Sequence, residues 1–108
     1  MTEVVVVLVT APDIAKAAEI ARALVDEKIA ACVSILPGIT SIFPWEGATK
    51  TVTEHQLIIK TTTARLDDLA ARVEALHPYK VPELIALPVA AGLQAYLQWI
   101  ADETTKPA

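Results

Sequence analysis

Residues 77–90 read His77-Pro78-Tyr79-Lys80-Val81-Pro82-Glu83-Leu84-Ile85-Ala86-Leu87-Pro88-Val89-Ala90 and constrain the topology more than any other segment. Each of the three prolines restricts its own φ, removes a backbone donor and biases the preceding residue away from helix. A helix must therefore end near His77. A short strand is predicted over residues 83–87, which Pro88 ends or places at a sheet edge.

Before this segment, the hydrophobic pattern changes from strand to helix and back. Residues 4–9 form a continuous β-branched run, which is typical of a central strand covered on both faces. Apolar residues at helical spacing then predict a first helix that begins after Pro12-Asp13 and ends near Lys28. Residues 31–45 are mostly β-forming, and Pro37-Gly38 predicts a bend or bulge within that strand.

The remaining elements complete a recognisable order. Glu46-Gly47 predicts a turn, and residues 49–61 form the second arm of a hairpin. A second helix follows, capped by Thr62 or Thr63. With the strand before Pro88, the order is βαββαβ, which predicts an α+β fold: a ferredoxin-like sandwich with a long bent hairpin. An extra C-terminal helix starts after Gly92, residues 102–108 are expected to fray, and residues 1–108 form one domain.

The predicted hairpin is long for a chain of this size. Arms of about 14 residues reach about 45 Å, whereas a globule of this length has a diameter of about 35 Å. An overhanging tip that carries Ile42, Phe43 and Trp45 needs cover from another subunit. We therefore expect a closed homo-oligomer with Phe43 and Trp45 at its interface. In the alternative, the bend at Pro37-Gly38 folds the tip back onto its own domain.

Composition narrows the class of partner. The chain has 108 residues, 54% of them hydrophobic, and a formal net charge of −4. A negative charge is the wrong sign for binding a phosphate backbone, so no nucleic-acid partner is expected. The apolar run at residues 4–9 is too short for a signal sequence or a membrane span. We expect a cytoplasmic protein without a membrane partner, and the single cysteine fits a reducing compartment.

Three side chains are candidate metal ligands. The thiolate of Cys32 suits a soft ion such as Cu(I), and the imidazole of His77 suits Cu(II) or Zn. Glu83 is the best placed carboxylate beside His77. The structural alternatives are a buried Cys32, a His77 ring that caps the end of the helix, and a Glu83 that terminates a strand.

A second candidate site uses cations and an aromatic ring. Lys60, Tyr79 and Lys80 could line a cleft that binds a small anion, although Tyr79 also suits packing and Lys60 also suits a sheet edge. The sequence contains no nucleophile motif and no glycine-rich phosphate loop, so we expect neither an enzyme nor an organic cofactor.

Several motifs together resemble the CutA family over nearly the whole chain. They are Ala31-Cys32-Val33, Pro37-Gly38-Ile39-Thr40-Ser41-Ile42, Trp45-Glu46-Gly47, Leu57-Ile58-Ile59-Lys60-Thr61-Thr62, His77-Pro78-Tyr79, Pro82-Glu83-Leu84-Ile85-Ala86-Leu87-Pro88 and Tyr96-Leu97-x-Trp99-Ile100. The resemblance implies a ferredoxin-like subunit in a tight homotrimer, related in architecture to PII signalling proteins. It also implies an association with copper or other divalent cations.

The chain departs from the family pattern at a few positions. Ala48, Thr49 and Thr51 stand where relatives often carry a lysine and then acidic residues. Ser34 replaces a frequent asparagine, and Lys80 replaces a frequent Glu or Gln. These changes remove charge and oxygen ligands, so they disfavour an acidic metal cage near the hairpin.

Three functions are compatible with these features. The first is a homotrimer associated with divalent-cation tolerance that binds copper or a similar ion. The second is a PII-like signalling trimer that binds a small anion or a partner protein at clefts between subunits. The third is a structural scaffold without a ligand.

Overall fold

A computed structural model describes residues 2–107 of the chain. Its elements are β1 (Val4–Ala11), α1 (Ile14–Asp26), β2 (Cys32–Trp45), β3 (Ala48–Thr62), a 3-10 turn (Thr63–Arg65), α2 (Leu66–Leu76), β4 (Ile85–Pro88) and α3 (Gln94–Glu103). The four strands form one antiparallel sheet in the order β2-β3-β1-β4. The predicted ferredoxin-like α+β fold with an additional C-terminal helix is confirmed.

The main core lies between the sheet and the helices α1 and α2. Alternate residues of β1 point to this side, and Val7 and Val9 are fully buried there. Apolar residues of the helices complete the core, among them Ile20, Leu24, Leu69 and Val73. The alternation is the period-2 pattern of a strand with one covered face.

The opposite side of the sheet is only partly covered within the chain. We call it the open face, and the strand register places these residues on it: Val6, Leu8, Cys32, Ser34, Leu36, Gln56, Ile58, Lys60, Ile85 and Leu87. The helix α3 covers one end, where Ile100 packs with Val4 and Ala31. Val6 and Leu8 stay half-buried. The expected cover on both faces of β1 is therefore incomplete in a single subunit.

The hairpin of β2 and β3 is long and bent as predicted. Its register shifts between Leu36 and Ile39, and Gly38 has a φ of 72°. The strands then stay paired up to Trp45 and Ala48. The longest dimension of the molecule is 44 Å against 27 and 21 Å for the others, so the tip extends outward and does not fold back.

The start of α2 differs from the prediction. Neither Thr62 nor Thr63 caps this helix, because a 3-10 turn lies before it and Arg65 takes the cap position without a side-chain hydrogen bond. The Thr62 hydroxyl is buried instead, 3.5 Å from the Thr104 hydroxyl.

The C-terminal segment also differs from the prediction. The expected fraying of residues 102–108 is wrong for its first part, because α3 continues to Glu103 and Thr104 is only 2% exposed. The Thr104 hydroxyl donates to the Ile100 carbonyl at 2.7 Å, which ties the end of the helix into the fold. Ala108 lies outside the described residues.

Candidate functional site

Cys32 and Lys60 lie side by side on the open face. They are directly paired in the register of β2 and β3, and the Lys60 Nζ is 4.0 Å from the Cys32 Sγ. The same ammonium donates to the Ser34 hydroxyl at 3.3 Å. Cys32 is half-buried, so it is neither a core hydrophobe nor a freely exposed thiol. Among residues 2–107, no carboxylate lies within ion-pair distance of Lys60.

His77 is a buried residue at the end of α2, with 7% of its surface exposed. Its Nε2 lies 2.6 Å from the Thr10 carbonyl oxygen, and its Nδ1 lies 3.1 Å from the Tyr79 backbone nitrogen. Since a carbonyl accepts and an amide donates, these partners assign the proton to Nε2. Both nitrogens of the neutral ring are thus engaged inside the chain.

Tyr79 connects the same region to a buried carboxylate. Its hydroxyl donates to Glu54 Oε2 at 3.4 Å, and Glu54 is only 5% exposed. Burial raises the pKa of Tyr79 above its usual value, and the nearby negative charge of Glu54 raises it further. The phenol therefore stays protonated over the physiological pH range and can donate to Glu54.

Glu83 reaches the open face through a glutamine. The side-chain amide of Gln56 donates to Glu83 Oε2 at 3.2 Å and to the Val9 carbonyl at 2.8 Å. Glu83 itself is exposed. The glutamine thus holds one oxygen of this carboxylate beside β3, near the end of β1.

The predicted metal ligands do not form a ready-made site within one chain. No group of three or more His, Cys, Asp or Glu side chains that could hold a metal ion occurs in residues 2–107. His77 uses both ring nitrogens elsewhere, and Cys32 has a lysine as its polar neighbour. A copper site that contains Cys32, His77 and Glu83 therefore stays a prediction. Such a site would either take ligands from other subunits or hold the ion with one or two ligands from this chain.

The predicted anion-binding residues lie on different sides of the sheet. Lys60 is on the open face, whereas Lys80 borders a pocket of about 370 Å³ on the helical side together with Ala70 and Glu74 of α2. Tyr79 points to Glu54. One subunit alone does not assemble these three side chains, and a cleft between subunits stays a prediction.

The hairpin tip carries the predicted interface residues. Phe43 is half-buried, and Trp45 is 57% exposed beside the turn. A tryptophan with this exposure has a large apolar area in contact with water. A contact of Phe43 and Trp45 with another subunit stays a prediction.

Sequence reasoning missed two buried charged residues. Glu54 is 5% exposed on β3, whereas its neighbour His55 is only half-buried, as the alternation of a strand requires. Arg65 is 4% exposed, although it lies close to Thr62 and Thr63, the predicted caps of the second helix. No local signal marks Arg65, because its burial depends on the distant end of the chain.

Comparison with known proteins identifies the family to which the chain belongs. Residues 5–103 match the family described as CutA1 divalent ion tolerance protein. The chain belongs to the CutA1 family. The divalent-cation tolerance protein CutA of Thermus thermophilus is 50% identical over 99 residues, which are 92% of this chain and 96% of the relative. Its solved structure has a TM-score of 0.93 at 49% identity and covers 94% of this chain and 99% of its own.

Other CutA relatives come from different compartments. The Arabidopsis thaliana protein CutA, chloroplastic, is 45% identical over 100 residues, which are 93% of this chain and 55% of the relative. A solved structure from Archaeoglobus fulgidus, described as the periplasmic divalent cation tolerance protein CutA, has a TM-score of 0.92 at 36% identity and covers 94% of this chain and 99% of its own. Within residues 2–107, no helix combines the length and the apolar character needed to cross a bilayer.

Proposed function

We propose that this CutA1-family protein is a cytoplasmic homotrimer that contributes to divalent-cation tolerance by binding copper or a similar ion, without catalysing a reaction. Family membership supports the tolerance role, since the relatives carry it in their names. The open face is the observation that supports the proposed assembly and the proposed metal ligand.

The open face supports association of subunits. Leu36 is 50% exposed, Ile85 is 52% exposed and Leu87 is 47% exposed, and all three belong to one side of the sheet. Leu36 lies on one edge strand and Ile85 and Leu87 on the other, with the half-buried Leu8 and Ile58 between them. Exposed apolar side chains spread over one side of a sheet are typical of a surface that another subunit covers. Three subunits that cover one another's open faces would complete the burial of β1, and the projecting hairpin with Phe43 and Trp45 would reach a neighbour.

Cys32 is the ligand that this proposal favours. It lies on the open face, so each subunit of a trimer would contribute one thiol at or beside the interface between subunits. Thiolates are the ligands that Cu(I) prefers. We assign Glu83 as an additional oxygen ligand, and we assign His77 to positioning because both its nitrogens already have partners.

The test is a titration of the tag-free protein with Cu(I) under anaerobic conditions and with Cu(II) in air, with native mass spectrometry to give mass and stoichiometry. We expect the mass of a trimer and saturation at an integral number of ions per trimer. Cys32→Ser should abolish saturable Cu(I) binding. Ser34→Ala changes a neighbour on the same strand and face, and it should leave binding unchanged.

Other outcomes would count against the proposal in separate ways. A monomer at micromolar concentration would contradict association through the open face. Weak, non-stoichiometric uptake that Cys32→Ser does not alter would contradict the metal site even if the protein is a trimer.

A second function is favoured by one observation. The Lys60 ammonium has the Ser34 hydroxyl and the Cys32 thiol as neighbours. Among residues 2–107 it forms no ion pair with a carboxylate, so its positive charge is available to bind an anion. A PII-like trimer would use Lys60, with Tyr79 and Lys80 of adjoining subunits, to bind a small anion or a partner protein. Saturable binding of a small anion that Lys60→Gln abolishes, without stoichiometric copper binding, would favour this alternative.

A further inference from the structure

A surface pocket of about 510 Å³ lies on the helical side of the molecule, away from the open face. Its walls come from the end of α1, the start of α2 and the C-terminal segment, and its charged lining residues are Glu27, Arg65, Asp68, Arg72 and Lys106. Pockets of a few hundred cubic ångströms are large enough to hold small ligands.

Arg65 is the unusual residue of this pocket. It is 4% exposed, and its Nε and Nη1 atoms have no hydrogen-bond partner among residues 2–107. Asp68 Oδ2 lies 3.4 Å from Nε, which is an ion-pair distance without hydrogen-bond geometry. Buried donors of a charged group that lack partners are costly, and they are rare unless a ligand or water satisfies them.

The charges around the pocket favour an anion. Arg72 is already paired with Glu27 through contacts of 3.0 Å, so these two charges offset each other. Asp68 is shared between Arg65 at 3.4 Å and Lys106 at 3.8 Å. Three cations thus face two carboxylates, which leaves one positive charge in excess.

The position in the fold adds to this preference. Arg65 occupies the cap position of α2, an 11-residue helix that has no side-chain cap. The N-terminus of a helix carries partial positive charge and favours bound anions. Asp67 and Asp68 in the first turn supply negative charge there, and Asp68 competes with any incoming anion for Arg65.

We propose that this pocket binds a small oxyanion of the phosphate class, which replaces Asp68 as the partner of Arg65. Asp68 then pairs with Lys106 alone, and the oxyanion accepts hydrogen bonds from the buried guanidinium. The site lies outside the metal and cleft residues of the proposed function, so each can fail without the other.

Nuclear magnetic resonance of arginine-labelled full-length protein tests this proposal with inorganic phosphate as the probe, at constant ionic strength maintained with chloride. The Nε–H signal of Arg65 should shift with saturation. Asp68→Asn removes the competing carboxylate and should tighten phosphate binding several-fold. Arg65→Met should weaken it at least about tenfold, because a hydrogen bond to a charged group is lost.

Matched variants separate a site from general charge effects. Lys50→Gln removes an exposed lysine of the hairpin and should leave phosphate affinity unchanged, whereas Lys106→Gln returns Asp68 to Arg65 and should weaken binding. If Arg65→Met fails to fold, two results still test the proposal. They are the shift of the Arg65 signal in the unmodified protein and the opposite effects of Asp68→Asn and Lys106→Gln on phosphate affinity. An Arg65 signal that does not saturate, or equal phosphate effects in all variants, would overturn the proposal.

Discussion

His77 joins the end of α2 to β1 through Nε2 and to the following loop through Nδ1. Its side chain contacts the Thr10 carbonyl at 2.6 Å and receives the Tyr79 amide at 3.1 Å, and only 7% of the residue is exposed. A histidine in these contacts fixes the loop that leads to Glu83. Its first role is therefore to hold the backbone in place.

We expect His77→Ala to lower the free energy of unfolding by about 2–3 kcal/mol, because it leaves a buried carbonyl without a donor and creates a cavity. Denaturant unfolding at one fixed protein concentration measures this loss. His55→Ala is the control, since His55 accepts one exposed bond from the Gly38 amide at 3.2 Å and should cost about 1 kcal/mol or less. Equal losses in the two variants would contradict the positioning role.

Tyr79 gives a prediction about alkaline pH. The folded protein holds the Tyr79 proton more tightly than the unfolded chain, whose tyrosine has a pKa of about 10. The unfolded state therefore binds fewer protons above that pH, and stability should fall as the pH rises through the folded pKa. This loss should be smaller in Tyr79→Phe.

Phenolate absorbance followed against pH tests the cause of the pKa shift. Subtraction of the Tyr79→Phe curve isolates Tyr79 from Tyr96. Glu54→Gln should lower the pKa of Tyr79, but not to its ordinary value, because burial is the larger cause and persists in this variant. No change in Glu54→Gln would show that the carboxylate does not act on the phenol.

At the scale of elements, the hairpin combines a bulge with a tight turn. Trp45 pairs with Ala48, so Glu46 and Gly47 form a two-residue loop, with φ values of 50° and 80°. Positive φ at both central positions is the geometry of a type I′ turn. Gly47 suits it, but a glutamate in the left-handed region is strained.

Glu46→Asn should therefore stabilise the hairpin by about 0.5–1 kcal/mol, because Asn-Gly is the preferred pair for this turn. The change in denaturation midpoint measures the gain. Thr49→Asn places the same side chain in the adjacent strand, where it should give no gain and a small loss. A stabilisation of both variants would point to a general surface effect instead of the turn.

At the scale of the whole molecule, the open face is the side of the sheet whose apolar residues are only partly covered. One side of the sheet is covered by α1 and α2, while α3 covers only an end of the other side. A hydrophobic fraction of 54% is high for one small subunit, and the exposed leucines and isoleucine of β2 and β4 account for part of it. Burial of this surface between subunits would stabilise folding and assembly together.

Leu87→Lys should dissociate the proposed trimer and lower its thermal stability, because a buried unpaired charge is unfavourable. Sedimentation velocity gives the mass and calorimetry gives the melting temperature. Val25→Lys is the control, since Val25 is 41% exposed on α1 and lies away from the open face. A trimer of unchanged mass and stability in Leu87→Lys would exclude the open face as the interface.

The amino-acid sequence by itself determined the order of elements, the bend at Pro37-Gly38 and the turn at Glu46-Gly47. It did so because strand and helix periods, prolines and glycines act over a few neighbouring residues. The same local signals placed Cys32 on a strand and His77 at a helix end. The motifs carried the family resemblance, because their order along the chain needs no knowledge of contacts.

Only the tertiary structure decided which polar groups are buried and what they meet. Arg65 is buried beside Lys106, and Thr62 meets Thr104, because the C-terminal segment returns to the start of α2. Glu54 meets Tyr79 across 25 positions of sequence for the same kind of reason. Burial and pairing are set by contacts between distant segments, so the local pattern of residues cannot specify them.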